Sequence, residues 1–264
     1  DISMFLHPEF YPAAVRWRMN RLILQGIRKA QRILCISEHA RDHVAEHFHI
    51  AADRLAVVHH GIGTQFRPIP PTQKQTVLTK YGIHVPYVLH VGKLQARKTI
   101  VRLLQAFHQF RQAIQSEVKL VLAGRGTWTS PDIVDTMEQL HLHDYVIELG
   151  HVDAHDLPAL YSGARMLAFP SLLEGFGLPV IEAMACGTPV LTSNVSCLPE
   201  IAGNAALLVN PYSVSDLADG MYRIFTDIPL RETLLARGFE RAQAFSWRKT
   251  ARQTLAVYQQ AADS

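Results

Sequence analysis

Two carboxylates eight positions apart, Glu174 and Glu182, lie in the stretch Pro170-Ser-Leu-Leu-Glu-Gly-Phe-Gly-Leu-Pro-Val-Ile-Glu-Ala-Met-Ala-Cys-Gly-Thr-Pro189. An apolar run ends at Pro170 and a loop punctuated by Gly175 and Gly177 follows. Pro179 then stands where a helix favours proline at its first position, and Gly187 closes about two turns. Glu182 sits among Val180, Ile181, Ala183 and Met184, company in which a carboxylate is rarely buried without a partner. A sugar diol would supply that partner. Free backbone N–H groups around Gly177 and Leu178, with the helix dipole behind them, favour a phosphate. The plainer reading is that Glu182 complements a helix N-terminus and Glu174 caps a loop.

A second cluster, His90-Val-Gly92-Lys93-Leu-Gln-Ala-Arg97-Lys98, weighs against the plainer reading. Gly92 ends another apolar run and lets backbone approach a ligand, and cations follow within six residues. Lysine is a point-charge partner for a diphosphate. In isolation Lys93 and Lys98 would read as a solvated loop.

The elements that must position these residues follow from the apolar pattern. Short runs at 88–92, 119–124, 146–150, 166–170, 189–192 and 206–210 each end in a turn-forming or polar residue and are followed by helical periodicity, except that Val190-Leu-Thr192 runs on into Ser193. Near-continuous apolar strands of this kind are buried on both faces in a parallel α/β sheet, and ligands of such sheets bind at the carboxyl ends of the strands. Upstream, 32–37 and 55–61 supply only two strands, the end of a second domain. The Pro-rich stretch Gln65-Phe-Arg-Pro-Ile-Pro-Pro places a linker between them. The expected organisation is therefore 1–66, the carboxy-terminal part of one Rossmann-like domain; 67–244, one complete doubly wound domain; and 245–264, a terminal helix capped by Ser246 that returns to the first domain.

At this point the chain resembles the family-4 glycosyltransferases, retaining enzymes of the GT-B fold that use nucleotide-sugar donors. The resemblance rests on Glu174-x7-Glu182 with Gly175-Phe176-Gly177 between them, Gly92-Lys93 followed by Lys98, Gly124-x-Gly126, Gly150-His-Val152, Gly187-Thr-Pro189-Val190, Pro199-Glu200 and Phe245-Ser-Trp247. Glu-x7-Glu alone is a weak signal, and seven landmarks in order are a strong one. The resemblance implies a sugar-contacting Glu174, a ribose-holding Glu182, Lys93 and Lys98 on the diphosphate, and backbone near Val152 at the base. Gly92, Gly124, Gly175, Phe176, Gly177 and Leu178 complete the expected donor site. It also implies front-face transfer of a hexose, mannosyl or related, to a hydroxyl of a glycan or lipid-linked acceptor in bacterial surface polysaccharide synthesis. No cofactor or metal is expected beyond the donor itself. The chain departs from the family in reading His59-His60-Gly61 where Pro-Asn-Gly is usual. It also begins at Asp1, where many relatives carry His-Asp, so most of the acceptor domain is expected to be absent. A noncatalytic nucleotide-sugar-binding module or an inactive donor-domain fragment is the alternative.

Other classes fit less well. A nicotinamide enzyme needs Gly-x-Gly-x-x-Gly, and Gly92-Lys-Leu-Gln-Ala-Arg lacks it. A net charge of +3 is too mild to imply nucleic acid. No apolar stretch reaches the roughly 20 residues that span a bilayer, and no secretory leader is evident. Three scattered cysteines, Cys35, Cys186 and Cys197, fit a reducing compartment, so a cytoplasmic location is expected. His39, His43 and His47 recur at metal-ligand spacing but lack an obvious further ligand. The helical stretch from Val15 to Arg32 combines Arg16, Arg18, Arg21, Arg28, Lys29 and Arg32 with Trp17 and an apolar stripe. It reads either as peripheral contact with an anionic inner membrane surface or, preferably, as a domain helix whose stripe packs on a sheet.

Overall fold

The apolar runs become strands, and the central ones, Tyr87–Val91, Lys119–Ala123, Met166–Phe169 and Val190–Ser193, bury both of their faces. The structure, a computed structural model, describes residues 2–124 and 130–263; Asp1 and Gly126 lie outside them. In chain order the elements are α1 (Ser3–Leu6), α2 (Ala13–Lys29), β1 (Ile33–Cys35), α3 (Glu38–Phe48), β2 (Leu55–Val57), α4 (Pro71–Lys80), β3 (Tyr87–Val91), α5 (Ile100–Ala113), β4 (Lys119–Ala123) and α6 (Pro131–Gln139). Then come β5 (Val146–Gly150), α7 (Leu157–Gly163), β6 (Met166–Phe169), α8 (Leu178–Ala185), β7 (Val190–Ser193), α9 (Leu198–Ala202), β8 (Leu207–Val209), α10 (Val214–Thr226), α11 (Ile228–Gln243) and α12 (Trp247–Ala262).

Strands β3 to β8 form a parallel sheet in the order β5-β4-β3-β6-β7-β8. One core layer takes Leu89, Val121, Leu167, Phe169 and Val190 from the strands and packs them under Leu160, Tyr161, Val180, Ile181 and Met184 of α7 and α8. The opposite layer takes Val88, Leu120, Leu122, Met166, Ala168 and Leu191 and packs them under α5, α6 and α10 through Leu103, Phe107, Met137, Leu217 and Met221. Successive strand residues thus alternate between two buried faces, which is why the sequence shows unbroken apolar runs. The chain winds outward from β3 to β5, returns to the other side of β3 as β6, and continues to β8. Strand order reverses between β3 and β6, and at such a reversal the loops leaving the two strands diverge and open a crevice.

The smaller unit is a parallel pair, β1 with β2, carrying α3 and a small core of Ile2, Cys35, Ala40 and Val44. Helix α2 buries none of its residues, and Trp17 and Leu22 are exposed. Its last carbonyls, Ile27 O and Ala30 O, accept from the Arg54 guanidinium at 2.8 and 2.6 Å. Among the described residues no helix is long and apolar enough to cross a membrane.

Glu200, just inside α9, joins the smaller unit to the larger sheet. Its two carboxylate oxygens accept from the Glu38 and His39 backbone N–H groups at 2.9 and 3.1 Å, which are orphan donors in the first turn of α3. The His59 ring donates to the same carboxylate through Nε2 at 2.7 Å. Ser37, the N-cap of α3, accepts from Ala40 N–H and donates to Gly175 O, both at 3.0 Å. The carboxy-terminal helix α12 closes the connection, with Thr250 donating to His59 O at 2.8 Å and Ser246 bridging Ile62.

Removing the Glu200 carboxylate strips three donors of their acceptor. Glu200→Ala is expected to lose about 0.5–2 kcal/mol of stability, the range for a lost helix cap, with faster amide exchange at Glu38 and His39. An unchanged melting temperature together with unchanged exchange at those two amides would contradict this account.

Candidate functional site

The loops leaving β3 and β6 meet across the sheet's reversal and are stitched together. Leu172 N–H donates to Arg97 O at 2.8 Å, the Thr99 hydroxyl donates to Pro170 O at 2.6 Å, and the Arg97 guanidinium reaches Leu173 O at 2.8 Å. Thr99 adopts a left-handed conformation (φ 54), costly for a β-branched residue, at the start of α5. Its bond to Pro170 helps hold that conformation, and the short 3-10 turn Ala96–Lys98 before it aims two cations at one carboxylate.

That carboxylate is Glu174. Its Oε1 accepts from Arg97 at 3.0 Å and makes a short contact with the Lys98 ammonium. Lys98 is only 5% exposed, and its Nζ lies 4.3 Å from the centre of the Phe169 ring. Burial pulls the Lys98 pKa down while Glu174 opposes the shift. The Glu174 backbone is held in turn: its N–H donates to the Ser196 hydroxyl at 3.1 Å, and its carbonyl accepts from Ser196 and from the Cys197 thiol. Burial pushes that thiol up to about 12, so it remains a donor.

Gly92 and Gly124 line the same edge. The backbones approach so closely that a Cβ added to Gly124 would lie 1.9 Å from Gly92 O, and Gly124 has φ +157. No side chain fits there. Gly177 caps α8 at φ +97, and Leu178 begins that helix, which places Pro179 at its second position. The expectation had been the first. Val152, expected to lend backbone to a base, is buried in the core layer under α7 and α8. Phe176 is buried against His59, His60 and Phe245, with ring centroids 5.9, 5.1 and 5.7 Å away.

Glu182 has a protein partner that the sequence did not reveal. Tyr161 of α7 donates its hydroxyl to Oε2 at 2.8 Å. Burial raises the Glu182 pKa and this hydrogen bond partly offsets it. Tyr161 itself is pushed well above the ordinary phenol value, by burial first and by the Glu182 charge second. Lys93 does not join Lys98 on Glu174; it is exposed, and Arg97 occupies the second place. A run of cations carried the signal for Arg97, but only the 3-10 turn decides which of them face the carboxylate. Tyr161 left no local signal, being 21 residues from Glu182 on another helix.

The His39 and His43 rings lie 4.1 Å apart at a tilt of 57°, whereas His47 packs on Phe5 and Phe48. Among the described residues no three ligating side chains gather as a metal site.

A doubly wound parallel sheet with two cations on one carboxylate and a glycine-capped helix at its reversal point defines an α/β domain of the GT-B kind. Residues 80–241 match the family described as Glycosyl transferases group 1, and residues 4–66 match Glycosyltransferase Family 4. The chain belongs to the family-4 glycosyltransferases. It is 34% identical over 98% of its length to O-antigen chain mannosyltransferase B of Escherichia coli, of which it spans 68%. It is 31% identical over 95% of its length to the serotype-specific mannosyltransferase WbdA of Escherichia coli, of which it spans 31%. The solved structure of HepE from Anabaena in complex with UDP and glucose shares the fold, with TM-score 0.82 at 20% identity over 97% of this chain and 69% of that one.

The raised pKa of Glu182 makes a signed prediction. The folded chain holds this proton more tightly than the unfolded one. The stability tied to it is therefore present below the ordinary glutamate value and lost as pH rises through the raised folded value. Glu182→Gln, which still accepts from Tyr161, is expected to raise the melting temperature at neutral pH, with the gain shrinking as the pH is lowered toward about 4. A melting temperature lowered at pH 7.5 would show that ionised Glu182 is not the destabilised form.

Proposed function

We propose that this chain forms the donor-binding half of a retaining, metal-independent mannosyltransferase in bacterial surface polysaccharide synthesis. The observation that carries the reading is the meeting of Arg97, Lys98 and Glu174 at the sheet's reversal point, with Glu182 on the adjoining helix. The sugar is taken from the relatives named as O-antigen and serotype-specific mannosyltransferases. The donor diphosphate lies against Lys98, the backbone N–H groups around Gly177 and Leu178 at the start of α8, and Lys93. Glu182 holds the ribose diol, Glu174 meets the sugar, and backbone near Val152 meets the base. Gly92, Gly124, Gly175, Gly177 and Leu178 keep backbone close to the ligand.

In the reaction the bond between the anomeric carbon and the phosphate oxygen breaks while the acceptor oxygen bonds to that carbon on the same face. The acceptor proton passes to the departing phosphate oxygen. Negative charge grows on the diphosphate as the bond breaks, and preorganised cations with a helix N-terminus stabilise that growth more than they stabilise the ground state. These groups take the part a divalent ion would otherwise play. The acceptor is a hydroxyl of a growing glycan or lipid-linked saccharide.

Titration calorimetry with UDP-, GDP- and dTDP-sugars is expected to find at least one ligand; a folded sample giving no heat with any of them would remove the reading. In the full gene product Lys98→Ala should lower kcat by roughly 10²–10³, the scale for one deleted electrostatic donor. Glu182→Ala should chiefly raise the donor KM, because ribose binding is lost from ground and transition state alike. Near-wild-type kinetics in both folded variants would show the donor to be elsewhere.

Excess chelator tests the metal question separately. Most of the activity should survive it. Activity lost to the chelator and restored only by Mn²⁺ or Mg²⁺ would replace the cation-based account with a metal-based one.

A further inference from the structure

His90, near the end of β3, is fully buried, and its ring crosses toward β6. Nδ1 lies 2.9 Å from Ala168 O, an atom that can only accept, so Nδ1 carries the proton and Nε2 presents a bare lone pair. Burial pushes the ring down to about 4, which keeps it neutral at physiological pH. Nε2 is buried and has no hydrogen-bond partner among the described residues. A buried acceptor left unsatisfied in this way is uncommon and calls for a reason.

The recess above Gly92 supplies one. A Cβ built on Gly92 would lie 3.6 Å from Lys98 Nζ and 4.0 Å from His90 Nε2, so the ammonium and the lone pair border one small space. Both also share the Phe169 ring, on which His90 stacks at 5.9 Å and over which Lys98 sits at 4.3 Å. Lys98 has three N–H donors, and one is spent on Glu174. If Lys98 is to face the diphosphate and Glu174 the sugar, their mutual contact must open, and the released N–H then needs another acceptor inside a buried site. A phosphate oxygen cannot bind at Nε2, because two lone pairs would face each other. An ammonium can.

We propose that His90 is a positioning residue for Lys98: its Nε2 accepts from the Lys98 ammonium when donor binding separates Lys98 from Glu174. The inference rests on the donor-site reading above. The pair of atoms on the ring allows a clean separation from a merely structural role. His90→Asn keeps a donor at the Nδ1 position for Ala168 and removes the acceptor at Nε2. His90→Gln places an amide oxygen near Nε2 and gives up the bond to Ala168.

The test uses the full gene product with whichever nucleotide sugar binds in the calorimetric panel. His90→Asn should lower kcat about tenfold, the size of one lost hydrogen bond, with donor KM changed less than about twofold. His90→Gln should retain most of kcat despite a lower melting temperature. In the wild-type chain, ¹⁵N NMR should show the His90 Nε2 resonance moving to a hydrogen-bonded position on addition of GDP or UDP, and Lys98→Met should abolish that movement. The opposite ranking, with His90→Gln impaired and His90→Asn at wild-type kcat, together with an unmoved Nε2 resonance in a nucleotide-bound sample, would overturn this role while leaving the donor site intact. If no nucleotide sugar binds folded wild-type chain, the donor site and the role of His90 fall together.

Discussion

A parallel sheet covered by helices on both faces has almost no place for charge except the ends of its strands, and that constraint organises this molecule. Four of the strands, β3, β4, β6 and β7, are nearly dry along their length, and the polar groups that matter lie at their carboxyl ends, where the chain must turn. The reversal between β3 and β6 then decides which ends matter most. Two loops leave neighbouring strands in opposite winding directions, and the crevice between them is held by backbone and side-chain hydrogen bonds from Arg97 and Thr99 to Leu172, Leu173 and Pro170. Glu174 sits in that crevice as the common partner of two cations.

Burying an ammonium such as Lys98 costs more than its contact with a carboxylate recovers unless the remaining donors are also met. Glu174 and the Phe169 ring meet part of that demand. Glu182 shows the complementary arrangement: a carboxylate kept at raised pKa by burial, steadied by one phenol, and placed on a helix capped by Gly177.

The strands were legible in the amino-acid pattern because burial on both faces leaves runs such as Leu120-Val-Leu-Ala123 with no polar interruption. Glu174, Gly177 and Glu182 were legible as residue types out of keeping with their apolar neighbours. The partners were not. Tyr161 reaches Glu182 from a different helix, and its hydroxyl is aimed by the packing of α7 on the sheet. The choice of Arg97 over Lys93 depends on one turn of 3-10 helix and the strained Thr99. His90 reads as one more strand residue, since nothing local distinguishes a ring that packs from a ring with a lone pair to spare. Pairings across sequence distances of tens of residues are products of the assembled fold, and local pattern carries no record of them.

The loop that carries Glu174 is also the loop on which the smaller unit rests. Gly175 O accepts from Ser37 at the head of α3, Phe176 packs between His59, His60 and Phe245, and Glu200 holds the first amides of α3 together with the His59 ring. A movement of α3 relative to the sheet would have to break the Ser37–Gly175 bond, next to Glu174, as well as the Glu200 bonds. The departure from Pro-Asn-Gly to His59-His60-Gly61 lies at this junction, and here the two imidazoles are what the Glu174 loop packs against through Phe176. In this chain the geometry of the carboxylate that meets two cations therefore depends on how the two units are joined, and the joining residues belong to the site as much as to the linker.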